Sequence, residues 1–196
     1  MFALNLFIFT LVCTLIVYLL NALLSHRFKK IDYRFALLYI TTLALLGVFG
    51  EVLIDSLFNL FLNKPLWKYH LLPIHNGYTS YYSLCIWGMY GFYLYIFHDF
   101  LKGKRSKLSN NHLFFLVGVE AIALEITINV LYIVIYGDYI FYYLPNDLWH
   151  LTSIQAIPFY FLLGTVISRC IKRFRRDPKF FIAMNASLVT VMVFFA

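Results

Sequence analysis

Long apolar stretches dominate this sequence of 196 residues. A helix needs about 20 apolar residues to cross a bilayer, and these stretches are longer than typical buried strands. Only 13% of the residues are charged, against about 25% in a soluble domain, so a soluble core could not cover all of the stretches. The apolar stretches are 5–24, 35–62, 79–101, 113–136, 151–171 and 180–195.

This pattern predicts an all-α fold, a polytopic membrane helical bundle with about six transmembrane helices. The length of the chain fits a single integral membrane domain, residues 1–196. Six crossings with short connections use the whole length. Little sequence remains for an extramembrane catalytic or nucleic-acid-binding domain.

The Lys and Arg residues alternate between the connections. The connections 26–34, 102–107 and 169–179 hold 14 of the 16, the connection 64–78 holds the other two, and 137–150 holds none. Short cytoplasmic loops are enriched in Lys and Arg, so the alternation predicts that both termini lie on the non-cytoplasmic side. It also assigns the net charge of +7 to contact with anionic headgroups and not to a nucleic-acid partner.

Four carboxylates fall in the interior of the apolar stretches, at Glu51, Asp55, Glu120 and Glu125. An ionised side chain at the centre of a membrane costs about 2.5–3.5 kcal/mol on insertion scales. No Lys or Arg lies in the interior of a predicted span to pair with these acids. They must therefore be protonated, share a proton, accept hydrogen bonds from Asn, Ser, Thr or Tyr, or bind a cation.

The spacing of these acids places them on helix faces. Glu51 and Asp55 are four residues apart, and so are Glu125 and Asn129, which puts each pair on one face of its helix. We predict that the four residues form a substrate- or ion-binding site, in which Glu51 and Asp55 bind a proton or cation opposite Glu125 and Asn129. The alternative is that they join helices by hydrogen bonds as protonated acids.

Aromatic residues and histidines cluster in the two connections that are predicted to face outward. The secondary site candidates are Trp67, His70, His75 and His150. Aromatic residues in such loops fit an interfacial belt, or a lid that folds back over a site. No HExxH or comparable spacing is present, so the sequence predicts no metal site, no cofactor and no catalytic residue of a known motif.

Two segments of the chain share polar landmarks. The segments are 45–95 and 119–168. Thr79 follows Glu51 by 28 positions, Thr152 follows Glu125 by 27, and a glycine lies twelve positions after each threonine. Each segment holds two helices, so both would enter the membrane in the same direction. The pattern predicts a parallel internal repeat of two-helix units, with a site at their interface.

The motifs in these segments also resemble a known family. They are Gly50-Glu51, then Gly77-Tyr78-Thr79-Ser80, Trp87-Gly88 and Tyr90-Gly91, and later Glu125 with the stretch from Trp149 to Gly164. Over residues 47–164 the chain is similar to the CmpB-like family of small multi-pass membrane proteins, described as ABC-transporter type IV. The resemblance implies the architecture and a role in transport, but it implies no catalytic or ligand-binding residue. The polar segment 73–76 does not match the family pattern.

We therefore expect a transporter- or permease-like membrane protein that handles a small solute or lipid through an intramembrane carboxylate site. Its expected partners are the lipid bilayer and a small cation, proton or lipid ligand. No Walker A motif is present, so an ATP-driven role would need a separate ATPase subunit. One alternative is a membrane-embedded enzyme that acts on a lipid headgroup with these carboxylates and the loop histidines. Another is a structural or partner subunit of a membrane complex.

Overall fold

The structure is a computed structural model that describes residues 2–26, 28–105 and 110–194. This part of the chain is all-α, as predicted, with short strands in the connections. The helices are α1 (Phe2–Ser25), α2 (Tyr33–Leu62), α3 (Tyr81–Arg105), α4 (Asn110–Tyr136), α5 (Ile157–Phe174) and α6 (Pro178–Phe194). The strands are β1 (Trp67–Tyr69), β2 (Pro73–Ile74), β3 (Thr79–Ser80) and β4 (Phe141–Tyr143). Residues 106 and 107 of the predicted basic connection 102–107 lie outside the described residues, and so does Arg27.

The helices follow the predicted apolar stretches within a few residues, apart from the start of α5. The prediction began this helix at residue 151, but residues 151–156 form turns and α5 begins at Ile157. Pro158 explains the position, because proline suits the first turn of a helix, where its missing N–H needs no partner.

Two helices are long and apolar enough to cross a membrane. They are α2 and the Phe114–Tyr136 part of α4, and shorter apolar segments occur at Phe7–Leu23 in α1 and Pro178–Phe194 in α6. These are the helices of this kind among the residues that the structure describes. Length and composition thus support membrane association through these two helices.

Helices α2 and α3 form one close pair, and α4 and α5 form another. Glycines permit the close approach. A Cβ on Gly91 of α3 would lie 2.5 Å from the backbone oxygen of Tyr39, and a Cβ on Gly164 of α5 would meet the backbone oxygen of Phe114. Helix α1 packs on α3, and α6 packs on α2. Small residues at such contacts are typical of helices that associate in membranes.

The two aromatic connections fold back onto the helices and pair with each other. Strand β1 is antiparallel to β4, with Trp67 opposite Tyr143 and Tyr69 opposite Phe141, and β2 pairs with β3. All four of these aromatic side chains are buried in one hydrophobic cluster that also includes residues of α3 and α4. The connections therefore have the arrangement of a lid, and most of their aromatic residues contact protein.

Candidate functional site

Helices α1–α5 and the paired strands β1 and β4 line a cavity of about 100 Å³. Glu51 of α2 and Glu125 of α4 both line it, so the two glutamates that the sequence singled out lie at one cavity. Most of the remaining lining is apolar. Its aromatic members are Trp67, Tyr69, Trp87, Tyr90, Tyr93, Phe141, Tyr143, Phe159 and Tyr160.

Glu51 accepts hydrogen bonds from four neutral side chains. Its Oε1 accepts from the Tyr69 hydroxyl at 2.7 Å and the Trp87 indole N–H at 2.8 Å. Its Oε2 accepts from the Thr79 and Ser83 hydroxyls, each at 2.6 Å. An ionised carboxylate has about four acceptor positions. The carboxyl group of Glu51 is therefore saturated by protein donors.

Neighbouring sequence explains how these donors converge. Ser83 and Trp87 are four residues apart in α3, so they lie on the same helix face. Gly47 lies one turn before Glu51 in α2, and a Cβ there would clash with the Trp87 ring. A glycine at position 47 therefore makes room for the indole that donates to Glu51.

Glu125 is less completely bonded than Glu51. Tyr143 of β4 is its polar neighbour, and the Tyr143 hydroxyl lies 3.0 Å from that of Tyr160. Glu125 Oε2 is buried and has no hydrogen-bond partner among the described residues. An unpaired acceptor of this kind costs about 1–3 kcal/mol when water is excluded. Glu125 is therefore the carboxylate at this cavity that retains an open acceptor.

Asp55 was predicted to bind a proton or cation beside Glu51, but it does not line the cavity. It is fully buried, and its Oδ1 accepts hydrogen bonds from the backbone N–H groups of Leu66 at 2.6 Å and Trp67 at 3.3 Å. Its Oδ2 has no partner in the described part of the chain. The observed contacts of Asp55 attach the start of β1 to helix α2.

Asn129 has the corresponding position in α4 and also lies away from the cavity lining. Its Oδ1 accepts from the backbone N–H of Ile140 at 3.1 Å, and its Nδ2 donates to the backbone oxygen of Phe141 at 2.9 Å. Asn129 thereby attaches the start of β4 to helix α4. Ile140 and Phe141 follow Asn129 by the same number of positions as Leu66 and Trp67 follow Asp55.

The secondary candidates lie in different places. Trp67 lines the cavity, and its indole N–H donates to the backbone oxygen of Tyr78 at 2.8 Å. His70 is exposed and lies 3.1 Å from an Asp138 carboxylate oxygen. Neither His75 nor His150 lines the cavity. The ring of His150 contacts the backbone oxygen of Tyr143 at 2.6 Å.

The donors around Glu51 were not predicted as site residues. The sequence singled out Thr79 only as a landmark of the repeat. The similar intervals from each glutamate to its threonine, 28 and 27 positions, were the available signal, since hydroxyls at nearly the same distance along two similar hairpins suggest a shared contact. Tyr69 and Tyr143 each lie 18 positions after a glutamate and carried the same signal.

A metal site is not indicated by the described residues, which contain no group of three or more His, Cys, Asp or Glu side chains able to hold an ion. The resemblance to the CmpB-like family remains a prediction carried by the motifs in residues 47–164. No family model, curated protein or solved structure matches this chain.

Proposed function

We propose that this chain is a transporter- or permease-like membrane protein that binds a small solute in the cavity between its two helix pairs. The observation that carries the proposal is the pair of glutamates, Glu51 from α2 and Glu125 from α4, at one largely apolar cavity. Ionisable side chains inside membrane helices commonly mark a substrate or ion pathway. A cavity at the interface of two helix pairs is the usual place for such a site in transporters.

The membrane placement is part of the proposal. Two helices have the length and apolar composition for a crossing, and one face of α1 exposes a row of leucines that a bilayer would cover: Leu11, Leu15, Leu19 and Leu23. The alternation of basic connections supports six spans with both termini on the non-cytoplasmic side.

An internal repeat of segments 45–95 and 119–168 is also part of the proposal, and matched backbone features support it. Asn63 follows α2 with φ 53°, and Gly137 follows α4 with φ 73°. Each N–H bonds to the carbonyl four residues before it. In both segments two successive residues then adopt positive φ, with values of 50° and 59° in the first and 51° and 59° in the second. Each of these second-segment positions follows its counterpart by 74 residues.

The pairing of β1 with β4 supports a two-fold relation between the segments. Trp67 corresponds to Phe141 and Tyr69 to Tyr143 at the same interval. The first residue of β1 therefore pairs with the last residue of β4, and the last residue of β1 pairs with the first residue of β4. Lys68 lies opposite Tyr142 at the centre. Symmetry of this kind fits parallel repeats that surround a shared site.

The enzyme alternative requires an acid, a base and a histidine in one cleft. His70, His75 and His150 do not line the cavity that contains the two glutamates. The geometry thus favours solute binding over acid–base chemistry on a lipid headgroup.

Alternating access can be tested without knowing the solute. Ala121 lines the cavity, so Ala121→Cys, in a chain with Cys13, Cys85 and Cys170 replaced by alanine, reports access to it. A transporter exposes its site to each side in turn. We expect a membrane-impermeant thiol reagent to label this variant both in intact cells and in inverted vesicles.

Two control positions fix the sidedness of that labelling. Asn146→Cys should react only in intact cells, and Arg175→Cys only in inverted vesicles, if the predicted topology is correct. Labelling of Ala121→Cys from one side alone would contradict transport. A complete lack of labelling would instead favour a structural subunit.

A further inference from the structure

The two glutamates at the cavity have unequal surroundings, although their neighbours correspond along the chain. Glu51 Oε2 accepts from Thr79 and Ser83. Their counterparts in the second segment, each one position closer to its glutamate, are Thr152 and Ala156. Ala156 lines the cavity but has no hydroxyl to donate. The second half therefore lacks one of the donors that saturate the first carboxylate.

The remaining counterparts do not compensate for this loss. Trp87 donates to Glu51, but the corresponding Tyr160 places its hydroxyl against Tyr143. The Thr152 hydroxyl is buried and, like Glu125 Oε2, has no hydrogen-bond partner in the described residues. Glu125 therefore keeps an unpaired acceptor, whereas the corresponding carboxyl group of Glu51 is fully hydrogen-bonded.

The lining of the cavity indicates what kind of donor would satisfy Glu125. Among the described residues no Lys, Arg or His lines it, whereas nine aromatic side chains do. Aromatic faces attract organic cations within about 6 Å of the ring centre. A hard metal ion such as Ca²⁺ takes about six to eight oxygen ligands, which this apolar lining does not supply. The surroundings fit a cation with an apolar body and an N–H group.

We propose that Glu125 binds a small alkylammonium ion through its carboxyl group, while the aromatic side chains contact the alkyl groups of the ion. This inference names the solute class of the proposed transporter and rests on the same cavity. Glu51 is then a structural residue that holds β1, β3 and α3 together, and Glu125 is the ligand-binding residue.

The size of the cavity limits the ion. A cavity of about 150 Å³ holds benzene, so the volume of about 100 Å³ here suits an ammonium group with about four or five non-hydrogen atoms. Two sources share this chemistry, a free alkylamine and the ammonium headgroup of a lipid such as phosphatidylethanolamine.

Binding of trimethylammonium to the full chain tests the proposal. The protein is placed in phosphatidylglycerol nanodiscs, and the Kd is measured by isothermal titration calorimetry. We expect binding to wild type, at least tenfold weaker binding to Glu125→Gln, and no change for Glu120→Gln, which alters a carboxylate of the same helix that does not line the cavity. Uncharged tert-butyl alcohol should bind at least tenfold more weakly than trimethylammonium.

Ala156→Ser provides a second variant that keeps Glu125. The added hydroxyl corresponds to that of Ser83, which donates to Glu51. It should donate to the Glu125 carboxyl group and weaken trimethylammonium binding at least threefold. Equal affinity of wild type, Glu125→Gln and Ala156→Ser would overturn the proposal, as would an absence of binding to wild type. In that case, labelling of Ala121→Cys from both sides would leave the transport proposal standing.

The source of the ligand follows from the lipid composition. If phosphatidylethanolamine in the nanodisc competes with trimethylammonium in wild type, the ligand is a lipid headgroup. If affinity is the same in both lipids, the ligand is a free amine. Both outcomes support an ammonium site at Glu125.

Discussion

Glu51→Ala should lower the free energy of unfolding by about 4 kcal/mol, because each buried donor left without an acceptor costs about 1–3 kcal/mol. Four donors lose their acceptor at once, from Tyr69, Thr79, Ser83 and Trp87. Water in the adjacent cavity would satisfy some of them, which keeps the expected loss near the lower end of that sum. The unfolding temperature in detergent, followed by tryptophan fluorescence, measures the effect.

Glu51→Gln is the matched control. The glutamine oxygen still accepts from Tyr69 and Trp87, and its amide can donate to the Thr79 and Ser83 hydroxyls, which rotate to accept. We expect a loss of only about 1 kcal/mol. Equal losses for the two variants would show that the negative charge, and not the hydrogen-bond geometry, is what Glu51 contributes. That result would again make Glu51 a candidate cation-binding residue.

The helices were predictable because apolar length is a strong signal. Stretches of about 20 apolar residues have few other stable arrangements, and the bounds of α2 and α4 follow from it. The position of Glu51 and Glu125 at one cavity was predictable for a related reason: each belongs to an apolar helix, and an interior cavity is where such a side chain avoids lipid.

The different roles of the four predicted site residues were not predictable from spacing. A four-residue interval places Glu51 and Asp55 on one helix face, but it does not say what lies opposite each turn. Asp55 lies nearer the end of α2, where the chain reverses and presents the unpaired N–H groups of Leu66 and Trp67. Of these two residues, Glu51 therefore lines the cavity and Asp55 holds a loop.

The loop histidines show a second limit on predicting the site from the sequence. Residues outside helices have no fixed periodicity, so proximity in sequence does not predict convergence in space. His75 adopts a positive φ in a tight turn, and His150 bonds to the backbone near β4. Strands of two or three residues such as β1 and β4 are also too short for an alternating pattern to reveal them, and their pairing decides where these side chains lie.

A reciprocal exchange at Asp55 and Asn129 has the other large expected effect. In Asn129→Asp an oxygen replaces Nδ2 at 2.9 Å from the backbone oxygen of Phe141, so two acceptors face each other in a buried site. We expect a loss of about 3 kcal/mol, since a lost hydrogen bond and a buried charge both contribute. The loss should appear as a lower unfolding temperature in detergent.

The opposite exchange should act in the opposite direction. Asp55 Oδ2 is buried without a partner in the described residues, and the carbonyl of Trp67 corresponds to the carbonyl that Asn129 contacts. Asp55→Asn supplies an amide donor for that carbonyl while Oδ1 continues to accept from Leu66, so stability should rise by about 1 kcal/mol. A loss of stability in both variants would contradict the equivalence of the two loop attachments. It would also indicate that the Asp55 carboxylate has a ligand of its own.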